Sequence, residues 1–148
     1  FLADFIANQA ENFERQRFIN GINALSWALV PLTQGNPTQN EVNGVLSVMT
    51  SDYPEWTFAG DAIEHMYNGT ISAEPSSAHP GWIDLRVTNL PETLCVYLQR
   101  NLRPAANEIG TGDSFTNFKP EGSGNEILSS IVGCQQERNT VNFRIGLN

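Results

Sequence analysis

The sequence predicts an α+β domain in which a long N-terminal helix lies on one face of an antiparallel sheet, with short helices at the periphery. Three observations predict it. Residues 1 to 30 contain no proline and one glycine, Gly21, and their apolar residues recur at helical spacing. Ile83, Leu85 and Val87 alternate with Asp84 and Arg86, as in a half-buried strand. Val141, Phe143, Ile145 and Leu147 alternate with Asn142, Arg144 and Gly146, and so clean a strand needs a sheet to join. The length, 148 residues, suits one domain spanning 1–148 with a sizeable core.

The first helix is read from Leu2, Phe5, Ile6, Phe13, Ile22, Leu25 and Leu29, with Phe18, Ile19 and Trp27 widening the stripe. Asp4, Glu11, Glu14, Arg15 and Arg17 fall mostly off it. Thirty residues give roughly 45 Å of helix, more than one small domain covers. The N-terminal end is expected to pack on something outside this chain. Pro31 should end the helix. Thr38-x-x-Glu41 fits a capping box before a second helix carrying Val42, Val45, Leu46 and Met49. Residues 55 to 67 are ambiguous and allow a short helix through Ala62–Ile63 and Met66–Tyr67. Thr70–Glu74 reads as a strand and Pro75–Gly81 as a turn. Pro91 is placed in the first turn of a helix with Leu94, Cys95, Leu98 and Leu102 on one face, ended by Pro104. Residues 105 to 125 read as loop. Asn125 is placed as the cap of a short helix through Ile127, Leu128, Ile131 and Val132, stopped at Gly133.

Composition narrows the functions. Charged residues make up 16% of the chain and the net charge is −8, with Lys119 the only lysine. No basic stripe exists to neutralise phosphates, which argues against nucleic acid and against charge-driven attachment to anionic lipid. Cys95 and Cys134 are the only cysteines. They are too few for a structural zinc site and are not a CxxC pair. Two readings stay open: buried free thiols in a reducing compartment, or one disulfide in an oxidising one. The opening Phe1-Leu2-Ala3-Asp4-Phe5-Ile6, without an initiator Met, is expected to be a cut inside a longer sequence.

Signals for chemistry are sparse. No GxSxG elbow, phosphate loop or dinucleotide fingerprint occurs. Asp61 and His65 would share a face at i, i+4 if helical, beside Glu64, but a solvated helix face is the plainer reading. His79 is expected at the surface. Gly110-x-Gly112-Asp113-Ser114 has too few carboxylates for a convincing calcium loop. Asn68-Gly69-Thr70 reads more simply as a turn than as a glycosylation site. Trp56, Phe58, Trp82 and Tyr97 are expected in the core. No enzyme, metal or cofactor is expected.

The stretch Asp61–Leu98 carries a resemblance. Tyr67-Asn68-Gly69-Thr70-Ile71-Ser72-Ala73, then Val87-Thr88-Asn89-Leu90-Pro91, then Cys95 and Leu98, resemble the central region of type IVb pilins. Cys134 before the alternating Val141–Leu147 matches the family's second cysteine, and the long N-terminal helix matches too. By layout the resemblance covers most of the chain, and by motif about 40 residues.

The resemblance implies a ladle-shaped subunit with a Cys95–Cys134 disulfide and a solvent-facing flank between the cysteines. It implies that Leu2, Phe5, Ile6 and Phe13 bury themselves in a filament core. The implied partners are other pilin subunits, the pilus assembly machinery and a receptor on a host or recipient cell. The membrane is met only through an upstream apolar half-helix that this sequence lacks. The implied location is an extracellular pilus of a Gram-negative bacterium, reached through inner membrane and periplasm, and the implied role is adhesion, aggregation or conjugative mating contact. A minor pilin or secretion pseudopilin, or a small periplasmic binding protein, are the alternative expectations.

Overall fold

A computed structural model describes residues 2–77, 79–101, 108–111, 116–117, 134 and 137–146. Helix α1 runs Leu2–Leu29, a 3-10 turn follows at Val30–Gln34, and α2 spans Gln39–Thr50. Pro31 lacks the N–H that would extend an α-helix and crowds the preceding turn. The chain therefore tightens into the 3-10 turn, and Thr33 Oγ1 donates to the Val30 carbonyl at 2.6 Å. At α2 the predicted capping box forms in full. The Glu41 N–H donates to Thr38 Oγ1, and the Thr38 N–H donates to Glu41 Oε1.

Strands β1 (Thr57–Ala59), β2 (Ala62–Glu64), β3 (Thr70–Pro75) and β4 (Ile83–Leu90) precede α3 (Glu92–Asn101). Strands β5 (Glu108–Thr111), β6 (Thr116–Asn117) and β7 (Asn139–Ile145) complete the described residues. All pair antiparallel in one sheet of order β1-β2-β3-β4-β7-β5-β6. Registers such as Ala73↔Leu85 and Leu85↔Phe143 line up Ala73, Leu85 and Phe143 on one face. That face meets Phe18, Ile22, Leu25 and Leu29 of α1 and Val42 and Leu46 of α2 in a continuous buried cluster. The alternation predicted for β4 and β7 places the apolar rows inward, as expected. Asn142 is fully buried on the opposite face, because Arg86 Nε donates to its Oδ1 at 2.8 Å across the ladder.

Several expectations give way. Residues 57–64 are a hairpin, not a helix, so Asp61 and His65 share no helical face. Ala59 pairs with Ala62 across Gly60-Asp61, and Gly60 holds φ +73. A positive φ at the first turn position alone is the pattern of a type II′ turn, which glycine adopts without a Cβ penalty. The region 105–125 is not all loop, since β5 and β6 extend the sheet beyond β7. Pro91 sits just before α3, with its carbonyl accepting from the Cys95 N–H at 2.9 Å, and β4 continues to Leu90. The expected helix at 127–132, Gly133, Leu102, Pro104 and Leu147 lie outside the described residues.

Two substitutions separate local from core contributions. Thr38→Ala should cost about 1 kcal/mol by removing the α2 cap. Phe143→Ala should cost about 3–5 kcal/mol by leaving a cavity under α1. Urea unfolding of both variants measures the difference.

Candidate assembly surface

The C-terminal half of α1 is seated on the sheet by aromatic contacts. Phe18 meets the rings of Trp56, His65 and Tyr67 edge-on, with centroids 6.4, 5.2 and 5.2 Å away. Such edge-to-face pairs add to the area they bury. A Cβ at Gly21 would lie 2.7 Å from the Trp56 ring, so only glycine lets the helix come this close. Beside it Arg17 pairs with Glu55, donates to the Asp52 carbonyl and lies 4.8 Å over the Tyr53 ring. These contacts fix both the position and the rotation of α1.

His65 is a structural member of this seat. The Tyr67 N–H donates to its Nδ1 at 3.0 Å, so the proton belongs on Nε2, which donates to the Thr88 carbonyl at 2.8 Å. Burial lowers the His65 pKa below its ordinary 6.5, with the Thr88 bond pulling weakly the other way. Asn89 donates from Nδ2 to the Tyr67 and Asn68 carbonyls and locks the Asn68-Gly69 turn, where Asn68 holds φ 63.

The rotation leaves a second face of α1 outside the domain. Phe13, Gln16, Asn20, Ala24 and Trp27 are all exposed, Phe13 at 74% and Trp27 at 47%. Phe13 lies about 140° round the helix from Phe18, at 3.6 residues per turn. The single stripe expected from spacing is therefore two stripes, one against the sheet and one away from it. The reason is in the sequence: Phe13 and Phe18 are five apart, a half-turn step rather than three, four or seven. Leu2, Phe5 and Ile6 occupy the first two turns of α1, and their side chains lie outside the described part.

The cysteines form the Cys95–Cys134 disulfide, with a Cα–Cα distance of 5.7 Å, tying α3 to the segment before β7. Both are buried, and Gln99 Nε2 donates to Cys134 Sγ at 2.9 Å. Of the four core aromatics expected, Trp56 is buried, Phe58 and Trp82 are half-buried, and Tyr97 is 43% exposed. Tyr97 points away because Leu94, Cys95 and Leu98 already supply the inward face of α3. His79 is half-buried and stacks on Trp82 at 4.2 Å. No group of three His, Cys, Asp or Glu among the described residues is arranged to hold a metal. Residues 112–115 of the calcium candidate lie outside the described residues. A polar cavity of about 440 Å³ lies over the open sheet face, lined by Glu74, Asp84 and Arg86 among others. Asp84 there is paired with Arg144 at 3.1 Å. Among the described residues no helix is long and apolar enough to cross a membrane.

No family model and no curated protein matches the chain. The crystal structure of type IV b pilin from Salmonella typhi does, with a TM-score of 0.63 over 87% of this chain and 97% of that chain, at 14% identity. The fold is pilin-like. At that identity the likeness carries the fold alone, and the roles of residues rest on this chain's own geometry. Within the pilin fold, the seat at Phe18 and the disulfide at α3 do separate jobs. One orients the helix, and the other ties α3 to the segment before β7.

Replacing both Cys95 and Cys134 with Ser should lower stability by about 2–4 kcal/mol in non-reducing urea titrations, since the bridge closes 39 residues of sequence separation. His65 predicts a pH effect with a definite sign. The unfolded chain takes up a proton as pH falls through 6.5, and the folded ring resists it. Stability is therefore complete above that pH and declines below it. Between pH 7.5 and 5.5 the urea midpoint should fall in the parent protein and in His79→Gln, and fall less in His65→Gln.

Proposed function

We propose that this chain is a structural subunit of a type IVb pilus filament, acting by assembly and not by catalysis. The observation that supports this most is the outer face of α1, whose Phe13, Gln16, Asn20, Ala24 and Trp27 carry no charge and whose neighbour Arg17 is paired with Glu55. It carries a large exposed aromatic, Phe13, on a helix held rigidly by its other side. A lone domain gains nothing from such a face. A filament does, because stacking apolar helices removes surface from water at about 25 cal/mol per Å². Head-to-tail contacts that do not close on themselves extend without limit.

On this reading Leu2, Phe5, Ile6 and Phe13 pack in the filament core, and the whole chain, 1–148, serves as the pilin domain. The region between Cys95 and Cys134 faces outward, where adhesion, aggregation or mating contact would take place. The subunit passes from inner membrane and periplasm to an extracellular pilus through an assembly machinery, using a membrane segment upstream of this sequence. The oxidising compartments on that route suit the disulfide. The net charge of −8 accords with a subunit that makes no contact with nucleic acid.

The test is made in the native host with the full gene. Deleting the gene should abolish surface filaments, and restoring it should return filaments that an antibody against this domain decorates. Phe13→Glu should leave the purified domain's melting temperature unchanged and abolish filaments, because a carboxylate buried between helices is costly. Undecorated filaments that persist after deletion would remove the reading.

A further inference from the structure

The outer face of α1 is more ordered than a greasy strip. Leu2, Ile6, Gln9, Phe13, Gln16, Asn20, Asn23 and Trp27 follow one another at steps of four, three, four, three, four, three and four. That is a 3.5-residue repeat, the period at which one helix keeps a seam turned toward another. The seam positions themselves carry no charge. Arg17, which lines the groove beside Phe13, Gln16 and Asn20, is tied to Glu55 and to the Asp52 carbonyl. Apolar positions (Leu2, Ile6, Phe13 and Trp27) share it with amides. Of these amides Gln9, Gln16 and Asn20 are exposed.

The amides are arranged, not scattered. Gln16 Nε2 donates to Asn20 Oδ1 at 2.9 Å. This internal bond uses one donor and one acceptor of the pair. The pair keeps the Gln16 carbonyl oxygen and the second Asn20 Oδ1 lone pair as acceptors, and one Gln16 N–H and both Asn20 N–H groups as donors. A second copy of the pair offers the same groups, so acceptors meet donors when two such seams are set with amide against amide. In any other stagger a polar amide faces an apolar side chain and loses its hydrogen bonds to water without replacement. A single amide at a seam position fixes register in helix pairs by this route, at a cost in affinity.

We infer that Gln16 and Asn20 set the axial register between α1 helices of neighbouring copies of this chain. The inference rests on the subunit reading above and specifies the contact within it. The occupant is a second copy for two reasons. The free donors and acceptors of the amide pair are self-complementary. An uncharged seam on a chain of net charge −8 also offers nothing to a charged ligand and lets two like-charged copies approach. The contact is small. From Phe13 to Trp27 the seam measures about 22 Å by about 10 Å, or roughly 450 Å² for both copies, below the ~1,000 Å² of a stable pair. One contact therefore does not hold, and repetition along a filament does.

The experiment uses the full gene in its host and compares wild type, Gln16→Leu with Asn20→Leu, and the swap Gln16→Asn with Asn20→Gln. Both residues are exposed, so the purified domains should melt at the same temperature, which is checked first. Wild-type filaments should give sharp helical layer lines by electron microscopy. The double leucine variant should form filaments in similar numbers with the layer lines lost, and the swap should retain them. Unaltered helical order in the double leucine variant would overturn the inference. So would complete loss of filaments, since the amides would then supply attraction rather than register. Absence of filaments from wild type would remove the subunit reading itself and this inference with it.

Discussion

The edge-on packing of Phe18 among Trp56, His65 and Tyr67 is the contact on which the rest of the molecule depends. Three rings from the 53–69 region grip one side chain of α1, and Gly21 lets the helix settle within van der Waals reach of Trp56. A long helix lying on a sheet can slide or roll at little cost when its contacts are aliphatic. Here the ring geometry and the Arg17 ion pair select one rotation. That choice turns Ile22, Leu25 and Leu29 into the core and leaves Phe13, Gln16, Asn20 and Trp27 outside it. The outer face is thus a consequence of the inner one.

The same logic accounts for the support beneath the rings. Burial favours the neutral form of His65, and its two backbone partners orient the ring, so it packs as an aromatic. The Asn68-Gly69 turn is fastened by Asn89, whose own positive φ of 61 lies where β4 gives way to α3. The disulfide then joins α3 to the approach of β7, the strand between β4 and β5 in the sheet.

Much of this is legible in the sequence. The proline-free first thirty residues, the Thr38–Glu41 box and the alternations of β4 and β7 each give a local signal strong enough to survive folding. The hairpin at 57–64 does not, because strands of three residues are too short to show a period. Its one clear mark is Gly60-Asp61 between two apolar pairs, which outweighs the helical spacing of Asp61 and His65. β5 and β6 are hidden for the same reason, β5 being held by pairing with β7 and β6 by pairing with β5 rather than by pattern. The two faces of α1 are present in the five-residue step from Phe13 to Phe18. Periodicity registers apolar residues, however, and says nothing of which partner covers them. Tyr97 is misread because an aromatic carries no sign of direction when its neighbours already fill the inward face.

On the proposed reading α1 presents one face to its own sheet and the other face to further copies of the chain. Thiol labelling of Phe13→Cys and Val48→Cys variants with a maleimide, in the purified domain and on filaments at the cell surface, tests it most directly. Val48 is an exposed control on α2, at 67%. Both positions should label in the purified domain, and position 13 alone should become protected in filaments. Equal labelling of position 13 in both states would contradict that reading.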